Sequence, residues 1–314
     1  MEFKKLICKT IVIDQNMINR RIDNVIFNLY KNVPKSMIYR LIRTGKIRIN
    51  IQKIKPFYKL KKGDIVHIPP INTINKVEKK IILCKTIKKT IISSIMYEDE
   101  FLLIINKPAG IAVHGGSGVK FGIIEIFRHI RPKNKYLELV HRLDRETSGT
   151  LIIAKKYSSL KKLHEQWINN KIKKKYISIV HGHWPKNQIS ITQPLLKTFQ
   201  SNKKRMVVIS DKGKFAKTFF LVKKYNTSTT SIEVTPVTGR THQIRVHSSF
   251  LGFPIIFDKR YGNTKLDKIL LKKNKNVSLF LHASSIQFKH PENKKDFFIS
   301  APLSKTWIDY EKSL

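Results

Sequence analysis

Asp144 lies in the stretch LVHRLDRETSGTLIIAKK (139–156), between Arg142 and Arg145 and just ahead of an apolar run. A neighbouring cation favours the ionised form of a carboxyl group. A carboxylate placed this way can serve as a nucleophile, a general base or one half of a salt bridge. For an arbitrary aspartate with arginine neighbours the salt bridge is the plainer reading, and the spacing alone does not overturn it. A second group, PVTGRTHQIRVHSS (236–249), carries Arg240, His242, Arg245 and His247 on a turn followed by a strand or short helix. The two histidines lack the i, i+4 spacing of helical zinc sites, so metal binding is disfavoured. Arginines and histidines at a turn suit phosphate or base contacts instead. Tyr176, in KKKYISIVHG (173–182), is either an ordinary half-buried strand tyrosine or a platform on which a base can stack. The loop HGGSG (114–118) can cradle a phosphate, but it lacks the Lys-Ser/Thr of a P-loop and the pattern of a dinucleotide site. A loop touching RNA backbone fits it equally well.

These residues need elements to hold them. From about residue 93 the chain is strand-rich: FLLIINKPAG, TLIIAKK, KYISIVHG, KTFFLVKK and SIEVTPV follow one another with few helices between. SSLKKLHEQWINNK reads as a helix, with Ser158 or Ser159 as cap and Leu160, Leu163 and Trp167 on one face. Strands in near succession imply an α+β fold, a mixed and largely antiparallel sheet with helices and loops packed on it. Upstream, residues 20–70 read as a separate small unit. Ile22, Val25, Ile26 and Leu29 have helical spacing. In VPKSMIYRLIRTGK, Ser36 can cap a second helix, Met37, Ile38 and Leu41 can face inward, and Gly45 can end it. Lys35, Arg40, Arg43, Lys46 and Arg48 then form a basic, exposed set, with Arg40 and Arg43 one turn apart on one face. The expected organisation is 1–70 (core 20–70), a Lys-rich linker at 71–92, and a large domain at 93–314.

The charge is unusual: 62 Lys and Arg against 21 Asp and Glu give a net +41. Such a field draws polyanions. The chain is also rich in Lys, Ile and Asn, which an AT-rich genome favours, so the charge supports nucleic-acid binding without proving it. Cys8 and Cys84 stand alone, which fits a reducing compartment and no metal site. The N-terminal residues show no cleavable leader, and no stretch reaches the roughly 18 apolar residues of a membrane span. A cytoplasmic protein is expected, with no membrane partner.

Taken together, HRLDRETSG, KKKYISIV and TGRTHQIRVH resemble, in that order, three signatures of the RNA pseudouridine synthase family, in the branch acting on large-subunit rRNA and tRNA. NKPAG and HASSIQF are similar too, and the N-terminal unit resembles an alpha-L RNA-binding domain. The resemblance runs from about Arg20 to about Pro302. It departs mildly at Glu146, where the family often has Asp, and in the lysine-rich linker. It implies a pseudouridine synthase sheet and an isomerase that needs neither cofactor nor metal. Asp144 would be the catalytic nucleophile, attacking the sugar or the ring, or else removing a sugar proton. Arg245 would pair with it, Tyr176 would stack on the flipped uracil and share in proton transfer at C5, and Arg142 would hold the flipped state. The implied partner is 23S rRNA in a large-subunit assembly intermediate, met by a monomer. A catalytically silent assembly factor on the same fold, and a synthase for a sister site or tRNA, are the competing expectations.

Overall fold

Ile22, Val25 and Ile26 point to one side of a short helix, and that side seeds a core. In the computed structural model, which describes residues 8–15, 17–30, 33–71, 84–116, 121–134, 136–185, 189–199, 205–271 and 278–314, the chain divides into two compact units, Met1–Ile82 and Leu83–Leu314.

The first unit holds strand β1 (Lys9–Val12), helices α1 (Ile22–Leu29) and α2 (Lys35–Arg43), and strands β2 (Arg48–Ile49), β3 (Gln52–Lys53) and β4 (Ile65–Ile68). Its strands pair antiparallel in the order β1-β4-β2-β3. Ile38 and Ile42 are fully buried and Leu41 nearly so, packed with Ile47, Ile49 and Val66. Ser36 does not cap α2. Pro34 takes that position, because its fixed φ is already compatible with helix entry, and Ser36 falls inside the first turn. Gly45 follows the helix at φ +71°, a left-handed conformation that ends it at little cost. Leu29, although in helical register with the core residues, is exposed at the end of α1.

The second unit opens with α3 (Lys85–Ser93), so the last part of the expected linker is helical. Residues 72–83 of that linker lie outside the described residues. Then come β5 (Ile95–Glu98), β6 (Leu102–Lys107), α4 (Ile123–Ile130), β7 (Glu138–Leu139), β8 (Ser148–Ala154), α5 (Tyr157–Ile168) and β9 (Lys173–His181). The chain continues through β10 (Ile189–Thr192), the hairpin β11 (Leu195–Phe199) and β12 (Arg205–Ile209), then β13 (Lys217–Tyr225) and β14 (Thr229–Pro236). It closes with α6 (Gln243–Phe250), α7 (Thr264–Leu271), β15 (Leu281–Lys289), β16 (Asp296–Ser300) and α8 (Lys305–Lys312).

Among the described residues, ten strands make one sheet with the path β10-β13-β14-β9-β15-β8-β6-β5, with β16 on β15 and β7 on β8. Among these described strands only β15 and β8 pair parallel; the fold is the mixed, largely antiparallel α+β architecture expected. Strands β6 and β8 carry unbroken apolar runs, Leu102–Ile105 and Leu151–Ala154, because both faces are covered there. Leu103, Ile105, Leu151 and Ile153 face α4 through Ile123 and Phe127, while Leu102, Ile104, Ile152 and Ala154 face α5 through Leu163. Leu160 and Trp167 pack on that second side, as the helical spacing predicted. The caps expected at Ser158 or Ser159 are not used. Helix α5 begins earlier, after extended Lys156, and Ser159 is buried within it.

Candidate active site

The carboxylate at 144 stands in the irregular link between β7 and β8. Leu143 and Thr147 are buried on either side of it, and Thr147 N–H donates to the Asp144 carbonyl at 3.2 Å. A second loop braces this link. Lys107, fully buried at the end of β6, donates to the carbonyls of Pro108, Ile111 and Arg145 at 2.8, 2.9 and 3.1 Å. Three acceptors match the three donors of an ammonium group. Burial pushes Lys107 down to about 7, opposed by the charges of Glu146 and Asp144. Gly110 exchanges bonds with Arg145: its N–H donates to the Arg145 carbonyl at 2.9 Å, and Arg145 Nε donates back to the Gly110 carbonyl at 2.8 Å.

The arginine that meets Asp144 is therefore not a sequence neighbour. Arg145 serves the bracing loop and lies 3.6 Å from Glu146. Arg142 is exposed at the edge of the cleft described below. Arg245, on α6, donates from Nη1 to Asp144 Oδ2 at 3.0 Å. Its Nε and Nη2 make a two-pronged bond to Asp258, both at 2.7 Å. Asp258 is buried, and its Oδ1 also accepts Arg260 N–H at 2.9 Å and Tyr261 N–H at 3.1 Å. Burial alone would lower the Arg245 pKa, but bonds to Asp258 and the charges of Asp258 and Asp144 raise it above the ordinary value. Burial would likewise raise Asp258, yet Arg245 holds it below the usual carboxylate range.

A cleft of about 350 Å³ opens over this pair, lined by Asp144, Arg142, Arg245 and Tyr176 together with Trp167, Lys174, Arg240 and His242. Tyr176 is the fourth residue of β9, opposite Val234 of β14. Burial first, and the Asp144 charge second, raise its pKa above the ordinary value, so it remains a neutral phenol. The carboxylate, the guanidinium and the ring thus share one cavity. Such a site can hold a flat, polar ring against an aromatic face with an anion beside it.

Several lining residues carried no such signal in the sequence. Trp167 reads as core, yet it lines the cleft, with His141 stacked on it at 4.7 Å and Lys174 Nζ 5.1 Å from its centroid. His141 Nε2 accepts Ile152 N–H at 3.1 Å; burial, then the charge of Lys174, lowers its pKa to about 3. His247 turns away into the sheet, bonded to Thr218 and to the Gln193 carbonyl. Among the described residues no group of three His, Cys, Asp or Glu side chains could hold a metal ion. Residues 117–118 of the HGGSG loop lie outside the described residues; its Gly115 N–H donates to Glu125 at 2.9 Å.

In the first unit Lys35, Arg40, Arg43, Lys46 and Arg48 are all exposed. Arg40 and Arg43 share a hollow of about 450 Å³ with Ser36, Tyr39, Lys53 and Lys55. Among the described residues no helix is long and apolar enough to cross a membrane.

Comparison with known proteins places these features. Residues 101–250 match the family model described as RNA pseudouridylate synthase, and residues 20–66 match that of the S4 domain. The chain is 52% identical over 314 residues, the whole of both chains, to ribosomal large subunit pseudouridine synthase C of Buchnera aphidicola subsp. Schizaphis graminum. It is 43% identical over 298 residues to the protein of that name from Escherichia coli K12, covering 95% of this chain and 93% of the other. Human RNA pseudouridylate synthase domain containing 4 superposes with a TM-score of 0.60 at 25% identity, over 72% of this chain and 95% of that one. At such identity along the full length, with the sheet and the domain pair both accounted for, the chain belongs to the RNA pseudouridylate synthase family.

Proposed function

We propose that this chain isomerises specific uridines of 23S rRNA to pseudouridine, with Asp144 as the catalytic group and the target base flipped into the cleft. The observation that carries the reading is the one cavity in which Asp144, held by Arg245, meets the Tyr176 ring. The reaction breaks N1–C1′, turns the uracil and forms C5–C1′; the C5 proton leaves and N1 gains one, so nothing is oxidised. One carboxylate can hold the detached partner covalently while the ring turns. A buried neutral phenol at Tyr176 suits stacking on that ring. Arg142, exposed at the cleft, occupies the place the base leaves, and helps offset a flipping cost of about a few kcal/mol.

The names of the relatives support large-subunit rRNA as the substrate, and the S4 match supports a separate grip on RNA. Lys35, Arg40, Arg43, Lys46 and Arg48 are the residues assigned to phosphates in that unit. The proposed setting is a monomer acting in the cytoplasm on rRNA of an assembling subunit.

Asp144→Asn tests the assignment. Pseudouridine formation should vanish, while affinity for rRNA stays within about tenfold, a difference of roughly 1.4 kcal/mol. Turnover by the variant would remove Asp144 from the catalytic role. Mapping pseudouridines in rRNA from cells with and without the gene identifies the target positions.

A further inference from the structure

The segment after α6, DKRYG (258–262), is not among the stretches that the sequence singled out. Asp258 serves Arg245, as described. Tyr261 serves His242: its hydroxyl lies 2.8 Å from His242 Nδ1 and accepts Val207 N–H, from β12, at 3.1 Å. The other ring nitrogen, Nε2, lies 3.7 Å from Asp144 Oδ2. His242 sits at φ +54°, a left-handed conformation at the entry to α6 that is costly for a residue with a side chain. The turn is locked by Gln243 Oε1, which accepts from Thr238 Oγ1 and Arg240 N–H at 2.7 and 3.0 Å.

Hydrogen-bond direction favours one place for the ring proton. Val207 N–H can only donate and takes one acceptor position of the Tyr261 oxygen; the hydroxyl proton, directed at His242 Nδ1, then gives both contacts of that oxygen a donor and an acceptor. An Nδ1 that accepts forces the proton onto Nε2, and Nε2 is the atom facing a carboxylate oxygen. The two ends of the ring agree. The charged groups around the ring are Asp144 and Asp258 on one side of the balance and Arg245 and Arg260 on the other. Burial, with those two arginines, keeps the ring neutral, near 4, against the pull of Asp144.

We infer that His242 is a positioning residue for Asp144: a neutral imidazole, held in the Nε2–H form by Tyr261, that together with Arg245 pins the carboxylate by Oδ2 and turns Oδ1 to the substrate. Both named contacts fall on Oδ2. At 3.7 Å the histidine is beyond hydrogen-bond range, so in the free protein it acts through its N–H dipole. Contacts of this kind are often long before substrate binds. The inference rests on the reading of Asp144 as the catalytic group.

Nitrogen-15 NMR of the full chain tests it directly. His242 should show the Nε2–H tautomer near neutral pH; an Nδ1–H ring or an imidazolium overturns the inference whatever the activity. Tyr261→Phe should shift that tautomer signature and lower the single-turnover rate about tenfold, the worth of one buried hydrogen bond, with rRNA affinity unchanged within about twofold. His242→Gln, whose amide can place an N–H where Nε2 stood, should retain more of the rate than His242→Ala. Equal rates for those two variants, or a wild-type rate in His242→Ala, overturn it. Asp144→Asn run beside them separates the failures. An active Asp144→Asn defeats the reading of Asp144, whereas an inactive one beside a fully active His242→Ala defeats this inference alone.

Discussion

At the scale of single residues, the site depends on a charge that its neighbours in sequence do not neutralise. Arg245 is 9% exposed and lies between two carboxylates, Asp258 at 2.7 Å and Asp144 at 3.0 Å. The shorter, two-pronged bond belongs to Asp258, so Asp258 sets the direction of the guanidinium, and an Nη1–H reaches Asp144. Removing one partner of a buried pair leaves the other charge without adequate solvation. Asp258→Ala should therefore lower unfolding stability by about 3–5 kcal/mol. The same loss should be smaller when Arg245 is first replaced by Met, because the charge that Asp258 answers is then already gone. Urea unfolding of the two single variants and the double variant measures this, and simple additivity would count against the coupling.

At the scale of elements, the loop that carries Asp144 is positioned by the one parallel pairing among the described strands of the sheet. Strand β8 starts at Ser148 beside β15, with Ser148 opposite His282 and Gly149 opposite Ala283. Ser148 Oγ lies 2.8 Å from His282 Nδ1, and Thr150 Oγ1 donates to the Ala283 carbonyl at 3.1 Å. Gly149 has φ +108°, and a Cβ there would fall 2.2 Å from the Ala283 carbonyl oxygen. Neither the conformation nor the space allows a side chain five residues downstream of Asp144. Gly149→Ala should cost at least about 2 kcal/mol of stability and displace Asp144 from Arg245. Denaturant unfolding reads the first effect and the single-turnover rate the second. A variant with wild-type values for both would mean that this pairing does not set the loop.

At the scale of the whole chain, the two units have separate cores, and the charge is shared between them. A net +41 draws any polyanion, so the chemical meaning of a basic residue lies in where it stands. The proposed phosphate contacts of the first unit are all exposed: Lys35, Arg40 and Arg43 on α2, Lys46 in the turn after it and Arg48 at the start of β2. Each lost phosphate contact should reduce the slope of log affinity against log salt by about 1. Arg40→Gln with Arg43→Gln should thus flatten the slope by about 2 and leave the rate at saturating rRNA unchanged. Filter binding across a salt series measures it. An unchanged slope would take the RNA role away from these residues.

Read as a sequence, the chain yields its elements wherever local chemistry suffices. The helical spacing of Ile22, Val25 and Ile26, the core face of Leu160, Leu163 and Trp167, and the strands at 102–107, 148–154 and 173–181 are properties of neighbouring residues, set by backbone periodicity. Helix starts are less legible: Pro34 and Lys156 hold the entry positions for which serine is the sequence's candidate, because extended backbone at the boundary matters there and a side-chain cap is optional. The resemblance of HRLDR, KKKY and TGRTHQIR to one family singled out Asp144, Tyr176 and Arg245 as belonging together. What the linear order could not contain is that Arg145, one residue away, serves a bracing loop, while Arg245, 101 positions on, meets the carboxylate. The same holds for Asp258, Tyr261 and Lys107, whose partners are assembled from separate elements. A contact across a sheet has no periodic trace in sequence; it exists only once β8, β9 and α6 are packed, and that packing decides which charge answers which.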